Sequence, residues 1–133
     1  MTCACPQKVV YGFSSMLDGE SPMMVIDIIM SRFPSNYNQH IVYDNSCKCK
    51  EYGFNRETQR FMNIQITIDK FHEINHTSCA SSFKSSEYTC LTEACEQTNR
   101  TMRRISSSST YMNTTLFLRS ISLFLGYQNI KKN

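Results

Sequence analysis

The run His72-Glu73-Ile74-Asn75-His76-Thr77-Ser78-Cys79 carries the densest group of metal-binding side chains in the chain. Read as His-x₃-His-x₂-Cys, it offers three borderline-soft ligands, His72, His76 and Cys79, of the kind that Zn²⁺ takes in closed tetrahedral sites. Cys47, Cys49, Cys90 or Cys95 could supply the fourth, with Cys90 or Cys47 expected first. Read as H-E-x-x-H, the same residues would hold a catalytic zinc through two histidines at i and i+4, with Glu73 as the base. That second reading needs a helix. The segment instead leaves a strand and runs into Asn, Thr and Ser, which disfavour helix interiors. The expectation is a structural zinc site, with unliganded packing and a zinc protease as the alternatives.

Three carboxylates stand out by position. Asp44 and Asp69 each directly follow a predicted strand, where open α/β sheets carry their functional groups. Glu96 falls in the first turns of a predicted helix, near the positive end of its dipole. Such groups suit Mg²⁺, which takes one or two carboxylates plus substrate phosphates, and two such ions can stabilise the attacking and leaving oxygens of phosphoryl transfer. The alternative is structural: a strand-end Asp caps a turn, and Glu96 pairs with Arg100 at i,i+4. Arg100, Arg103 and Arg104 lie close together on one predicted helix, as phosphate contacts or as an ordinary solvated face. Cys3-Ala4-Cys5 and Cys47-Lys48-Cys49 are weak signals.

The elements that must position these residues alternate. Residues 8–13 read as a strand, followed by an Asp18-Gly19 turn. Ser21-Pro22 opens a helix with Ile26, Ile29, Met30 and Phe33 on one face, and Pro34 with the polar residues 35–39 ends it. Residues 41–43 form a brief strand and a short helix follows. Residues 64–68 alternate apolar and polar in period two, the strongest strand signal in the chain. A polar stretch over residues 77–89 leads to a helix with Leu91, Ala94, Cys95, Thr98, Met102 and Ile105 inward. Residues 106–109, all serine, read as a loop. The last helix, residues 112–128, is apolar almost all round and is expected at the centre of the fold. The order implies an α/β domain with at least one parallel strand pair.

Composition sets the outer limits. The chain has 133 residues, which suits one domain with a sizeable core. Its 7 Tyr and 8 Phe argue against disorder. Its two longest apolar runs are short and broken by Asp27 and Arg119, which argues against a membrane span. A net charge of +3 does not by itself indicate nucleic acid, although the basic residues cluster late, at Arg100, Arg103, Arg104, Arg119, Lys131 and Lys132. No basic-then-apolar leader opens the chain, so the 7 cysteines are expected to be reduced, buried or metal-bound in an intracellular protein that is not secreted.

Taken together, the motifs resemble the catalytic domain of transposases of the Kyakuja–Dileera–Zisupton group and their domesticated relatives. The pieces are Cys5-Pro6 with residues 9–12, Glu20-Ser21-Pro22, Tyr43-Asp44-Asn45-Ser46-Cys47, Asp69-Lys70-Phe71-His72 with His76 and Cys79, Cys95-Glu96-Gln97-Thr98, and Asn129. The resemblance implies an RNase H-like fold whose D-D-E triad binds two Mg²⁺ ions for DNA strand cleavage and transfer in the nucleus. Asp44 matches the second Asp, as a metal ligand and catalytic group, and Glu96 the final Glu. His72, His76 and Cys79 match a metal-binding insert between them. Gln7-Lys8 and Met23-Met24 depart from the family's His-Gly and Arg-Asp. No acidic residue precedes Cys5, where the first Asp should stand. The expectation is therefore a single domain over residues 1–133, a partial RNase H-like fold with a short mixed sheet flanked by helices and a helical C-terminus. It would be the C-terminal part of a transposase core, inactive alone, DNA-binding and prone to self-association through missing strands. A non-catalytic, zinc-stabilised binding remnant is the alternative.

Overall fold

A computed structural model describes residues 1–15, 19–34, 39–77, 79–84 and 93–132, without the side chain of Ser106. Asp18, residues 35–38, Cys90 and Leu91, which the sequence reading uses, lie outside the described residues. The protein is mixed α/β and forms two compact units, Met16–Thr92 and Met1–Ser15 with Glu93–Asn133.

The Met16–Thr92 unit is built on a β–α–β crossover. Helix α1 (Pro22–Arg32) starts where expected, with the Ser21 hydroxyl accepting from the Met24 amide and proline at the first helical position. Strand β3 (Gln39–Val42) and strand β4 (Ile64–Thr67) pair in parallel, Gln39 opposite Ile64 and Ile41 opposite Ile66. A parallel pair cannot be joined by a tight turn. Helix α2 (Ser46–Met62) makes the connection and is far longer than the short helix expected there. Its backbone breaks at Glu57 (φ −144°, ψ 63°). The break turns Phe61 back over Gly53, and the Phe61 side chain is fully buried with Ile26, Cys49, Ile66 and Ile68. Arg60, in the last turn of α2, donates to the carbonyls of Ile29 and Phe33 at the end of α1. Burial pushes the Cys49 thiol up to about 12.

The other unit is a hairpin carrying two helices. Strands β1 (Thr2–Ala4) and β2 (Val10–Phe13) run antiparallel with an irregularity at Cys3/Ala4. Helix α3 (Ala94–Met102) packs on β1, where the Thr2 hydroxyl donates to Asn99 Oδ1 at 3.0 Å. The serine run expected as a loop is instead a short helical turn, α4 (Ser106–Ser109). Helix α5 (Thr114–Ile130) begins at Asn113, whose side chain accepts from the Leu116 amide, and it runs beside β2. The expectation that this helix fills the centre is not met. Leu125 is its one buried residue, while Leu116, Leu123, Tyr127 and Ile130 stand exposed at spacings that share one face. A two-stranded hairpin is too small to cover a helix that is apolar on every side. Among the described residues, no helix is long and apolar enough to cross a membrane.

Gly53 and Phe61 give the sharpest test of the α2 break. A Cβ on Gly53 would sit 2.5 Å from the Phe61 ring, closer than carbon atoms approach. Gly53→Ala should destabilise the unit by roughly 1–3 kcal/mol, the usual cost of overpacking a core. Phe61→Leu in the same chain should recover part of that loss, so a double-mutant cycle by thermal melting should show strong coupling. Additive effects would contradict the contact.

Candidate metal centre

Parallel strands end at the same edge of their sheet. The chain that leaves β3 at Val42 and the chain that leaves β4 at Thr67 therefore start from neighbouring points. The first turns at Asp44 and Asn45 into α2, which places Cys47 in that helix's first turn. The second winds through tight turns and returns to the sheet, the Ile68 amide donating to the Phe83 carbonyl and Ile68 bridging Lys84. Within this loop His76 N donates to Glu73 O and Cys79 N to His76 O, so the backbone coils His76 and Cys79 onto one side.

The result is a group of three soft ligands. Cys47 Sγ lies 4.0 Å from His76 Nδ1, and His76 Nδ1 lies 3.4 Å from Cys79 Sγ. The three ligand atoms all lie within 4.8 Å of one another, and each residue is half-buried. Zinc–sulfur bonds of about 2.3 Å and zinc–nitrogen bonds of about 2.0–2.1 Å at tetrahedral angles imply S···N separations of about 3.6 Å and an S···S separation of about 3.8 Å. The group could hold a metal at that spacing with small side-chain shifts. The Cys79 thiol is raised above its ordinary value, first by its hydrogen bond with Cys47, against the opposing pull of the Lys84 ammonium. A metal must displace this shared proton.

The sequence-predicted residues fall as follows. His76 and Cys79 are in the group, and Cys47, one of the two cysteines expected to close it, is its third member. His72 is not in it. Its Nδ1 bonds Asp69 Oδ2, while Asp69 Oδ1 accepts from the amides of Phe71 and His72 at 2.8 and 3.2 Å. Asp69 is thus a buried turn cap that captures the histidine three residues on. The His72–His76 pair does not stand on an α-helix either, because Glu73–Asn75 is a single 3₁₀ turn. Asp44 follows β3 as expected, is half-buried, and accepts from the Asn45 amide at 2.7 Å. Beside it, burial and then the neighbouring Glu20 push the Tyr43 phenol upward. Glu96 is exposed in the first turn of α3 and belongs to the other unit. Arg100, Arg103 and Arg104 are exposed at the end of α3 and in the 3₁₀ turn after it. Cys90 lies outside the described residues. Sequence reasoning missed the Asp69–His72 capture, although a strand-end Asp with His at i+3 signals it. It also missed the backbone clamp at Asn129, whose side chain accepts from Val10 N and donates to Val10 O, both at 2.9 Å.

No protein-family model, curated protein or solved structure matches the chain.

Two thiols and an imidazole must all be deprotonated to ligate, so zinc affinity should rise with pH and fall on acidification. Competition with a chromophoric chelator should show this slope between about pH 6 and 8, the range that includes the ordinary histidine value. Cys47→Ser, His76→Ala and Cys79→Ser should each weaken zinc by ~100-fold or more, beyond the usual loss of an outer-shell partner. His72→Ala should leave it within about threefold, below that outer-shell range. Equal losses at His72 and Cys47 would contradict the ligand set.

Proposed function

We propose that the protein is a non-catalytic, zinc-clamped module derived from a transposase core of the Kyakuja–Dileera–Zisupton type. The convergence of Cys47, His76 and Cys79 at the strand-end edge of the parallel pair carries this reading. In it, zinc ties the first turn of α2 to the loop after β4. Between the Asp69 cap and the Ile68–Phe83 pairing, the loop leaves Phe71 and Ile74 exposed, and its regular structure among the described residues is two 3₁₀ turns. Metal binding then supplies folding free energy to a segment that hydrophobic burial does not order. A fourth protein ligand would close the site and make it structural, whereas water there would leave it open.

The transposase ancestry draws on a second observation. Asp44 stands two residues past Val42, the end of the first strand of a parallel β–α–β unit, near the edge at which open α/β sheets carry functional groups. The reading takes the scaffold as a partial RNase H-like fold, in which Asp44 and Glu96 are inherited positions that no longer hold Mg²⁺. The exposed Arg100, Arg103 and Arg104 are the DNA contacts it implies, in a nuclear protein, and the exposed apolar face of α5 is its surface for self-association.

Purified protein should contain about one zinc per chain, the content of one closed tetrahedral site. Chelation should loosen the segment around residues 71–84, read as faster amide hydrogen exchange there than in β3 and β4. DNA nicking with Mg²⁺ or Mn²⁺ should be undetectable and unchanged by Asp44→Asn. Nicking that disappears in Asp44→Asn would restore a catalytic reading. Peptide hydrolysis lost in Glu73→Gln with zinc retained would favour a zinc protease.

A further inference from the structure

The net charge conceals a strong asymmetry. The unit formed by Met1–Ser15 and Glu93–Asn133 carries seven basic residues against two acidic ones, or +5, whereas Met16–Thr92 carries seven against nine, or −2. The basic unit also contains a pocket of about 170 Å³, lined by Lys8, Gln97, Thr98, Thr101, Phe124, Gln128 and Lys132. Two ammonium groups and two primary amides line it, and among the described residues no carboxylate does.

The local structure fixes these donors. Lys8 sits at a left-handed φ of 66°, which is uncommon for a residue with a Cβ. Its turn is closed by Cys5 N donating to Val9 O and Lys8 N to Cys5 O, at 3.0 and 2.8 Å. Asn129 then clamps α5 to Val10 through both its amide atoms, and Lys132 Nζ, one turn on, donates to the Lys8 carbonyl. The threonine hydroxyls donate elsewhere, Thr98 to the Ala94 carbonyl and Thr101 to the Gln97 carbonyl. Anion recognition therefore falls to Lys8, Lys132, Gln97 and Gln128. A lysine keeps spare protons after one hydrogen bond, and each amide offers two.

We infer that this pocket is a seat for a phosphate group at the end of a ligand. Two point charges with amide donors suit a phosphate, which lysine ammonium groups bind as point charges and which offers more acceptor oxygens than a carboxylate. Size sets the rest of the ligand. The volume is well below the roughly 300–1,000 Å³ that encloses a whole cofactor. It holds several waters and so has room for a phosphate, but not for a whole cofactor. The remainder of the ligand lies outside, over the basic surface. None of the metal-centre residues takes part.

The test uses the full chain. Inorganic phosphate, followed by calorimetry and by amide NMR shifts, should bind saturably, with the largest shifts at residues 97–101 and 124–132. Lys8→Asn keeps a residue that tolerates the left-handed turn, and with Lys132→Gln it should weaken phosphate at least ~10-fold, a loss of about 1.4 kcal/mol. Arg119→Gln removes one charge, as each of the two lysine substitutions does, from the same unit outside the pocket and should change binding less than about twofold, the scale of screened surface charge. Gln128→Leu tests the seat without altering charge and should also weaken binding. Two further probes separate the sources, a single-stranded oligonucleotide carrying a 5′-phosphate and the same oligonucleotide with a 5′-hydroxyl. Tighter binding of the phosphorylated end, lost in Lys8→Asn/Lys132→Gln, identifies a nucleic-acid terminus. Saturable inorganic phosphate with no preference between the oligonucleotides identifies a small phosphate ligand, and either outcome supports the seat. Phosphate binding that never saturates, or that Arg119→Gln weakens as much as the pocket variants do, overturns it.

Discussion

The parallel pairing of β3 with β4 is the constraint from which the candidate site follows. Pairing in parallel forces a crossover, and α2 supplies it by running back over the sheet. The same pairing brings both strand exits to one edge, so Cys47 meets His76 and Cys79 although almost thirty positions separate them. The pairing in turn depends on the core beneath it. Phe61, Ile66, Ile68 and Cys49 are fully buried, and the break at Glu57 lets Phe61 reach back over Gly53. A zinc ion at the edge would then fasten the part of the unit that this core does not reach.

Much of this was legible in the sequence, and the failures have physical causes. The α1 cap at Ser21-Pro22 and the β4 alternation are local signals, and both appear where expected. Strand β1 carries three residues and no periodicity, so nothing local announces it. The serine run has poor helix propensity but lies directly between the 3₁₀ turn after α3 and the approach to α5, where its neighbours hold it helical. For α5, apolar composition predicted burial, but composition does not say how much partner surface exists to cover a helix. At the site, the His/Cys motif pointed to the loop that carries the grouped His76 and Cys79, and Cys47 was among the cysteines named with it. It could not separate His72 from His76, because that depends on which histidine the Asp69 carboxylate captures.

The charge of the chain is organised in the same way. A net +3 reads as unremarkable until the contacts divide the chain, when a basic unit of hairpin and helices separates from a mildly acidic α/β unit holding all three histidines. The metal ligands lie in the acidic unit. The exposed arginines, the two pocket lysines and Asn129, which locks α5 to the hairpin, lie in the basic one. The two units thus carry different side chains, the Cys/His group in one and most of the clustered exposed cations in the other.

The central claim is that the metal is held by Cys47, His76 and Cys79, and X-ray absorption at the zinc edge of the purified protein tests it most directly. The account predicts a mixed shell, sulfur at about 2.3 Å and nitrogen at about 2.0–2.1 Å. It also predicts that Cys47→Ser removes one sulfur and that His72→Ala changes nothing. A shell of nitrogen and oxygen alone, or a sulfur component that survives Cys47→Ser intact, would contradict it.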